Sequence, residues 1–200
     1  MKKLFFPVIA ICIVLITSSC KKTTTSGPVT KTETPAKATI AAKLVVDTFG
    51  VNNNSTFEFG NKLYFSKNGS VTKLGCKMAS KGNFRVSFWD YTTQNLIAAT
   101  TINVTDTTQF IYNSVSPIAV TANTRYVLSI NNTISTVKMP YYVFYKYPGS
   151  ATIYPFTTGS VTYENIQSKI SATSAFPDML NPGDQVIFGG VPDMQFEYTE

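Results

Sequence analysis

Polar and apolar residues alternate along most of the chain after residue 40. In "FRVSFWDY", Phe84, Val86 and Phe88 occupy every second position. The same period-two pattern recurs in "LIAATTINV", "QFIYNSV", "RYVLSINN", "YYVFYKY" and "DMQFEYT". Such alternation is typical of β-strands, and no stretch here has the spacing of an amphipathic helix. About eight to ten short strands separated by turn residues predict an all-β fold, either a sandwich or a barrel.

One segment carries a specific turn signal. In "KLYFSKNGSVTKLGCKM", Asn68 and Gly69 stand between two strand-like runs. Asn-Gly favours a type I′ turn, because that turn requires positive φ at both central residues. The sequence therefore predicts a tight β-hairpin at Asn68-Gly69.

The N-terminus has the parts of a secretory signal. Lys2 and Lys3 precede a thirteen-residue apolar run, Leu4–Ile16, which as a helix would reach about 20 Å and is short for a membrane span. Thr17–Ser19 then lead into Cys20. The segment Thr17–Cys20 resembles the lipobox of bacterial lipoproteins, in the relaxed form found in Bacteroidetes, with Thr17 at a position where leucine is more common. The resemblance implies diacylglycerol on Cys20; the alternative is a plain secretory signal cut after Ser19.

Charge and composition divide the chain into three parts. Six of the seventeen basic residues but only one of the eleven acidic residues precede residue 40, so almost all of the net charge of +6 belongs to the N-terminal appendage. No basic stripe remains to indicate nucleic-acid binding. Residues 20–39 are rich in Thr, Lys and Pro and predict a disordered tether. We therefore expect a signal peptide at 1–19, a lipid anchor and tether at 20–39, and a β-domain at 40–200.

The body also resembles a family of uncharacterised β-sandwich domains of secreted bacterial proteins, which often accompany immunoglobulin-like and carbohydrate-active modules. The matching segments are "GNKLYFSKNGSVTKLGCKM", "VSFWDYTTQNLIAAT", "SPIAVTANTRYVLSI" and "GGVPDMQFEY". The chain departs from that family at Gly75-Cys76-Lys77 and in a more irregular stretch from 148 to 185. The resemblance implies an antiparallel, jelly-roll-like β-sandwich without established catalytic residues.

Two groups of aromatic residues are candidates for ligand binding. If Phe84, Val86 and Phe88 face the core, Trp89 faces the other way and either stacks on a sugar ring or is covered by a loop. In "MPYYVFYKYP", Tyr141, Tyr145 and Tyr147 share one face of a strand, with Tyr142 and Phe144 on the other. Tyrosine-rich faces are typical of recognition surfaces, although packing within a sandwich also explains them.

The sequence offers little for catalysis or metal binding. It contains no histidine, which removes the commonest general base and metal ligand. We expect no catalytic residues, no cofactor and no metal site. Cys76 is interpreted as a small buried apolar residue. The oxygen-bearing side chains of a Pro/Gly-broken stretch suit calcium but match no known calcium loop, and surface turns explain them better; they are Asp178, Asn181, Asp184 and Asp193.

These observations predict a non-catalytic binding or adhesion lipoprotein of the outer membrane, held by its N-terminal lipid, with a glycan or an envelope protein as its partner. The alternative is a structural subunit of a cell-envelope complex, in which the tyrosine-rich face meets a protein. Which side of the outer membrane the domain occupies is left open by the sequence.

Overall fold

The computed structural model describes residues 27–147 and 151–200. Over these residues the chain forms antiparallel strands, one α-helix and one 3-10 helix, Pro182–Val186. In chain order the elements are β1 (Thr30–Glu33), α1 (Pro35–Ala42), β2 (Thr48–Asn52), β3 (Phe57–Phe65), β4 (Gly69–Cys76), β5 (Gly82–Asp90), β6 (Leu96–Val104), β7 (Ile111–Val120), β8 (Arg125–Asn131), β9 (Thr133–Ile134), β10 (Val137–Lys138), β11 (Tyr141–Tyr145), β12 (Phe156–Thr158), β13 (Val161–Ile170), β14 (Ile187–Gly189) and β15 (Pro192–Thr199).

The strands form an antiparallel β-sandwich, which confirms the predicted fold class. A large sheet has the order β12-β13-β3-β8-β5-β6, and a small sheet has the order β1-β15-β4-β7. A side sheet, β14-β11-β2, and the pair β9–β10 complete the described part. Eight of these strands are at least seven residues long. Seven of them correspond to runs seen in the sequence, whereas β13 lies in the stretch described there as irregular. Of the shorter strands, β11 was among the predicted runs.

Aromatic rings join the layers. The ring centroids of Phe65 in the large sheet and Phe196 in the small sheet are 4.5 Å apart. Phe59 of the large sheet lies 4.5 Å from Tyr141 of the side sheet, again between centroids. The predicted core positions of β5, Phe84, Val86 and Phe88, are fully buried. Alternation therefore identified the inward face of this strand correctly.

The predicted hairpin at Asn68-Gly69 is wrong. The strands on either side, β3 and β4, lie in different sheets, so the connection crosses between the layers. Gly69 does not have positive φ. A Cβ atom there would lie 2.3 Å from the Glu197 carbonyl oxygen and 2.6 Å from the Phe196 ring, so the close approach of β15 requires this glycine. A local turn signal could not report that constraint, because β15 lies more than 120 residues later.

The folded domain begins earlier than predicted. Val29 and Glu200 exchange backbone hydrogen bonds, and β1 pairs with β15. The Glu33 carboxylate accepts hydrogen bonds from the Ser160 amide and hydroxyl and from the Tyr198 hydroxyl. Residues from Val29 to 39 therefore belong to the domain rather than to a tether. Their polar composition was misleading because β1 is held by backbone pairing; residues 20–26 lie outside the described part.

A carboxylate distant in sequence holds the start of α1. Asp193 in β15 is buried and accepts hydrogen bonds from the backbone amides of Ala36 (3.0 Å) and Lys37 (3.1 Å) and from the Tyr112 hydroxyl (2.6 Å). Burial raises the pKa of Asp193 to about 6, opposed by these hydrogen bonds. The first amides of a helix lack partners within the helix, and a carboxylate satisfies them well. Asp193 thus fixes α1 against the small sheet. No helix in residues 27–147 and 151–200 is long and apolar enough to cross a membrane.

Candidate functional site

Trp89 is not the exposed stacking surface that the sequence offered as a candidate. It is 8% exposed, and its indole Nε1 donates a 2.8 Å hydrogen bond to the Ser129 hydroxyl. The ring also meets Phe176 edge-on, with centroids 5.9 Å apart. Trp89 does lie opposite the inward residues of β5, as predicted. The alternative reading, coverage by a loop, is the one that the structure supports.

The segment that covers Trp89 follows β13 and is called the covering loop, residues 171–177. The side-chain amide of Asn131 donates hydrogen bonds to the carbonyl oxygens of Ser171 and Thr173, each at 3.2 Å. Pro177 closes the loop against β3, where a Cβ on Gly60 would lie 2.4 Å from the proline ring. These contacts hold the loop on the outer face of the large sheet, so that face has no free aromatic surface at Trp89.

A buried carboxylate continues this polar network. The Ser129 hydroxyl donates to Glu58 Oε1, while Glu58 Oε2 is buried and has no hydrogen-bond partner within the described residues. Burial raises the pKa of Glu58 to about 7, and the hydrogen bond from Ser129 opposes that rise. The indole, hydroxyl and carboxylate thus form one chain beneath the covering loop. Its hydrogen bonds join β5, β8 and β3, so we interpret it as a structural network.

The three tyrosine candidates do not form one surface. Tyr141 is buried, and its hydroxyl donates a 2.9 Å hydrogen bond to the Asn54 side chain. Tyr145 is half-buried, whereas Tyr147 is 73% exposed beyond the end of β11. The expectation of a shared tyrosine face is therefore wrong for Tyr141. The reason is that β11 is the central strand of the side sheet, and its Tyr141 face lies against Phe59 of the large sheet.

The opposite face of β11 lines an open cleft. Phe49 of β2 and Tyr142 and Phe144 of β11 form a triangle with ring centroids 5.6 to 5.9 Å apart. Together with Ile40 and Val46 they line a cavity of about 420 Å³. We call this cavity the aromatic cleft. Phe49 is 61% exposed, so the cleft presents an uncovered aromatic ring to solvent.

Charged groups surround the aromatic cleft. The ammonium group of Lys77 lies 5.5 Å from the centre of the Tyr142 ring and donates a hydrogen bond to the Thr108 carbonyl oxygen. Partial burial lowers the pKa of Lys77, and the nearby Asp106 carboxylate opposes this. Lys43 also lines the cleft. The arrangement suits a ligand that combines an apolar group with a negative charge.

One acidic residue of the cleft is already neutralised. Asp47 is paired with Lys146 at 3.1 Å and accepts a hydrogen bond from the Tyr147 amide. These contacts hold the pKa of Asp47 below its usual value, the amide hydrogen bond contributing most. Because Asp47 is already paired with Lys146, it does not neutralise the positive charge of Lys43 and Lys77.

Sequence reasoning missed Phe49 for a clear reason. It lies in "VDTFGVN", a segment too short and too glycine- and asparagine-rich to read as a strand, and its partner β11 lies more than 90 residues later. Tyr142 and Phe144 were assigned correctly to the other face of their strand. The sequence shows aromatic residues on both faces of this strand, but it does not indicate which face is accessible to solvent.

The oxygen-bearing side chains considered for calcium do not converge. Asp178 is paired with Lys169 at 2.7 Å, and the Asn181 side chain accepts from the Gly183 amide at the start of the 3-10 helix. Asp193 is buried beneath α1, in β15. Within residues 27–147 and 151–200 no group of three His, Cys, Asp or Glu residues is arranged to hold a metal ion. Asp178 and Asn181 are exposed, as expected for surface turns, but that expectation is wrong for Asp193, which is buried in β15 and caps α1.

Comparison with known proteins leaves the function open. No protein-family model matches this chain, and no curated protein matches it. Cys20, the predicted lipidation site, lies outside the described residues. Cys76 is buried in β4, and burial raises the pKa of its thiol to about 12. The aromatic cleft is therefore the candidate site that the geometry itself provides.

Proposed function

We propose that this protein is a lipid-anchored, non-catalytic binding module of the bacterial cell envelope, and that it binds its ligand in the aromatic cleft. The observation that carries the proposal is a triangle of aromatic rings beside an open cavity of about 420 Å³, in which Phe49 is exposed, Tyr142 is half-buried and Phe144 forms the buried base. Ligand sites are typically concave and largely apolar, with a few polar groups that fix orientation. Lys43 and Lys77 are such groups in this cleft.

The path of the chain supports an anchored module. Thr30 pairs with Thr199 at one end of β15, whereas Cys76 pairs with Pro192 at the other end. The eight residues of β15 span about 26 Å, and Lys77 of the cleft follows Cys76 directly. The N-terminal chain therefore joins the sandwich at the end opposite the cleft. An anchor at Cys20, at most about 30 Å from Val29 by chain length, would be attached to the end of the domain that lies away from the cleft.

The anchor is tested by metabolic labelling with a palmitate analogue. The parent protein should be labelled, and Cys20→Ser should lose the label, because the thiol is the acylated group. Cys76→Ala is the matched control and should keep the label, since that thiol is buried within the sandwich. A Cys20→Ser protein that is still labelled would contradict the anchor and favour a plain secretory signal.

The cleft is tested with 1-anilinonaphthalene-8-sulfonate, which combines aromatic rings with one negative charge. A fragment of residues 27–200 should bind it saturably, and Phe49→Ala should weaken binding about tenfold, because an exposed ring of the cleft is lost. Ile170→Ala is the control, since Ile170 is equally exposed (64%) but lies on β13 of the large sheet, away from the cleft lining. Equal affinity of the parent and Phe49→Ala would remove the cleft as the binding site.

A glycan remains the second candidate ligand. The exposed rings of Phe49 and Tyr147 favour it, because a sugar ring stacks on an uncovered aromatic face. A glycan array probed with the parent and with Phe49→Ala tests this. Glycan binding that Phe49→Ala abolishes would support a carbohydrate ligand, and an empty array would favour the envelope-protein ligand.

A further inference from the structure

The strand beside the aromatic cleft has a free edge. Within the described residues β2 pairs only with β11, through five consecutive residue pairs from Thr48↔Tyr145 to Asn52↔Tyr141 without a register shift. Its sequence, "TFGVN", contains no charged residue and no proline. An edge of this kind presents unpaired backbone donors and acceptors to solvent, which are a template for another strand.

Other long edges of the sandwich are protected. β7 carries Pro117 and a register shift near it. β6 has a register shift beside Leu96, and the Asn113 side chain donates to its Thr101 carbonyl oxygen at 2.7 Å. Prolines, bulges and capped carbonyl groups are the usual means by which proteins prevent edge pairing. β2 has none of these features, so it is the edge best suited to accept a partner.

Two side chains of β2 lie on the same face of the side sheet as the aromatic rings of the cleft. Phe49 lies opposite Phe144, and Val51 lies opposite Tyr142, so all four share one face of the side sheet. Phe49 and Val51 are both more than half exposed. A strand added to β2 would place every second side chain on this same face, next to Phe49 and the cleft.

We propose that the ligand of the aromatic cleft is an extended peptide segment of an envelope protein, which adds to the free edge of β2 and inserts an apolar side chain into the cleft. The inference rests on the proposed function and names the ligand class. In strand addition, main-chain hydrogen bonds supply affinity and a pocket for alternate side chains supplies specificity. The edge of β2 and the cleft supply these two parts side by side.

The charge around the cleft favours an acidic or carboxylate-ending segment. Lys43 and Lys77 line the cleft, where Asp47 is paired with Lys146 and the Asp106 carboxylate acts on Lys77. A carboxylate at the end of the peptide, or on a residue beside the inserted side chain, complements the positive charge of Lys43 and Lys77. The partner is therefore apolar at the inserted position and negative next to it.

The experiment measures fluorescence anisotropy of a fluorescein-labelled pentapeptide of alternating threonine and valine that ends in phenylalanine with a free carboxylate. The full chain is reconstituted in lipid nanodiscs, and empty nanodiscs give the background. We expect binding that Phe49→Ala weakens about tenfold or more. Ile170→Ala, which removes an equally exposed apolar side chain (64%) from β13 in the large sheet, should leave the affinity within about twofold.

Two modified peptides separate strand addition from simple insertion. N-methylation of alternate peptide nitrogens removes backbone donors and should weaken binding about tenfold, because several main-chain hydrogen bonds are lost. Amidation of the carboxylate should weaken it less. If the N-methylated peptide binds as well as the parent peptide and Phe49→Ala still abolishes binding, strand addition is overturned while the cleft stays the binding site.

The remaining outcomes overturn the inference in other ways. No binding of the free-carboxylate peptide at about 1 mM excludes a peptide ligand of this chemistry. A Phe49-dependent signal on the glycan array in that case retains the binding module and assigns it a carbohydrate. A dimer seen by light scattering that Phe49→Ala dissociates would show that a second copy of this chain, rather than a foreign peptide, occupies β2.

Discussion

Trp89 and Phe49 are both large aromatic residues on strands, yet their surroundings differ completely. Trp89 is 8% exposed beneath the covering loop, whereas Phe49 is 61% exposed at the aromatic cleft. The indole nitrogen of Trp89 has a polar partner in Ser129, which a buried indole requires. Phe49 has no polar atom to satisfy and borders an open cavity. The strand phase gives the direction of a side chain, but a segment distant in sequence decides whether that direction leads to solvent.

The same contrast separates stability from binding. The Trp89 face is a closed network of an indole, a hydroxyl and a carboxylate, and its residues serve the fold. The Phe49 face leaves apolar area uncovered, which costs the folded state solvation free energy unless a ligand covers it. Substitutions on the two faces should therefore affect different measurements.

The largest expected effect is on stability. Trp89→Ala should lower the free energy of unfolding by about 3 kcal/mol, because it removes a buried ring and leaves a cavity. Phe49→Ala should change it by less than about 0.5 kcal/mol, as for other exposed positions. Urea denaturation of both variants measures the difference. An equal loss of unfolding free energy in the two variants would mean that Trp89 contributes no more to the stability of the fold than Phe49, and would contradict the contrast drawn between the two faces.

A second effect concerns pH. Since the pKa of Glu58 is about 7 in the folded protein against 4.5 for the ordinary group, the folded state binds a proton that the unfolded state has lost between these values. Stability should thus fall as pH rises from about 4.5 to 7 and stay low above it. Glu58→Gln should be more stable than the parent at pH 8 by about 2 kcal/mol.

The control for the Glu58 experiment is the same variant at pH 4.5. In the folded protein Glu58 is protonated at this pH and glutamine is uncharged, so the two proteins should differ little in their free energy of unfolding. Asp193 titrates in the same direction, with a pKa of about 6, so the variant retains part of the pH dependence. A Glu58→Gln protein that follows the parent at every pH would show that Glu58 is not held protonated beneath the covering loop.

A third, smaller effect tests the covering loop directly. The chain contains one tryptophan, so its fluorescence reports on Trp89 alone. Phe176→Ala should cost about 1 kcal/mol of stability, the value of one aromatic contact, and should raise the rate of acrylamide quenching several-fold. Tyr91→Ala, which removes a more distant contact of Phe176 at 6.4 Å, is the control. Unchanged quenching in Phe176→Ala would mean that other residues shield the indole.

The smallest effect is expected at Tyr147. This side chain is 73% exposed and lies outside the cleft lining, so Tyr147→Ala should change neither stability by more than about 0.5 kcal/mol nor the affinity of the cleft for the fluorescent probe. A clear loss of ligand affinity would return Tyr147 to the binding site and support the tyrosine surface expected from the sequence.

Several elements could be read from the sequence because their signals are local. Alternation identified most of the long strands, though not β13, and the inward face of β5 at Phe84, Val86 and Phe88. The Asn-Gly turn signal was wrong at Gly69, where the need for glycine comes from β15 and not from a turn. Alternation failed also at β1, whose polar residues pair through the backbone and leave no apolar pattern.

What the sequence by itself determined is therefore the class of fold and the two faces of strands such as β5 and β11, because period-two burial is a property of neighbouring residues. Only the tertiary structure decided which faces are open. The covering loop closes Trp89 through Asn131 and Phe176, and the pairing of β2 with β11 brings Phe49 to Tyr142 across more than 90 residues. Such contacts depend on how distant segments fill space together, and no local pattern encodes them.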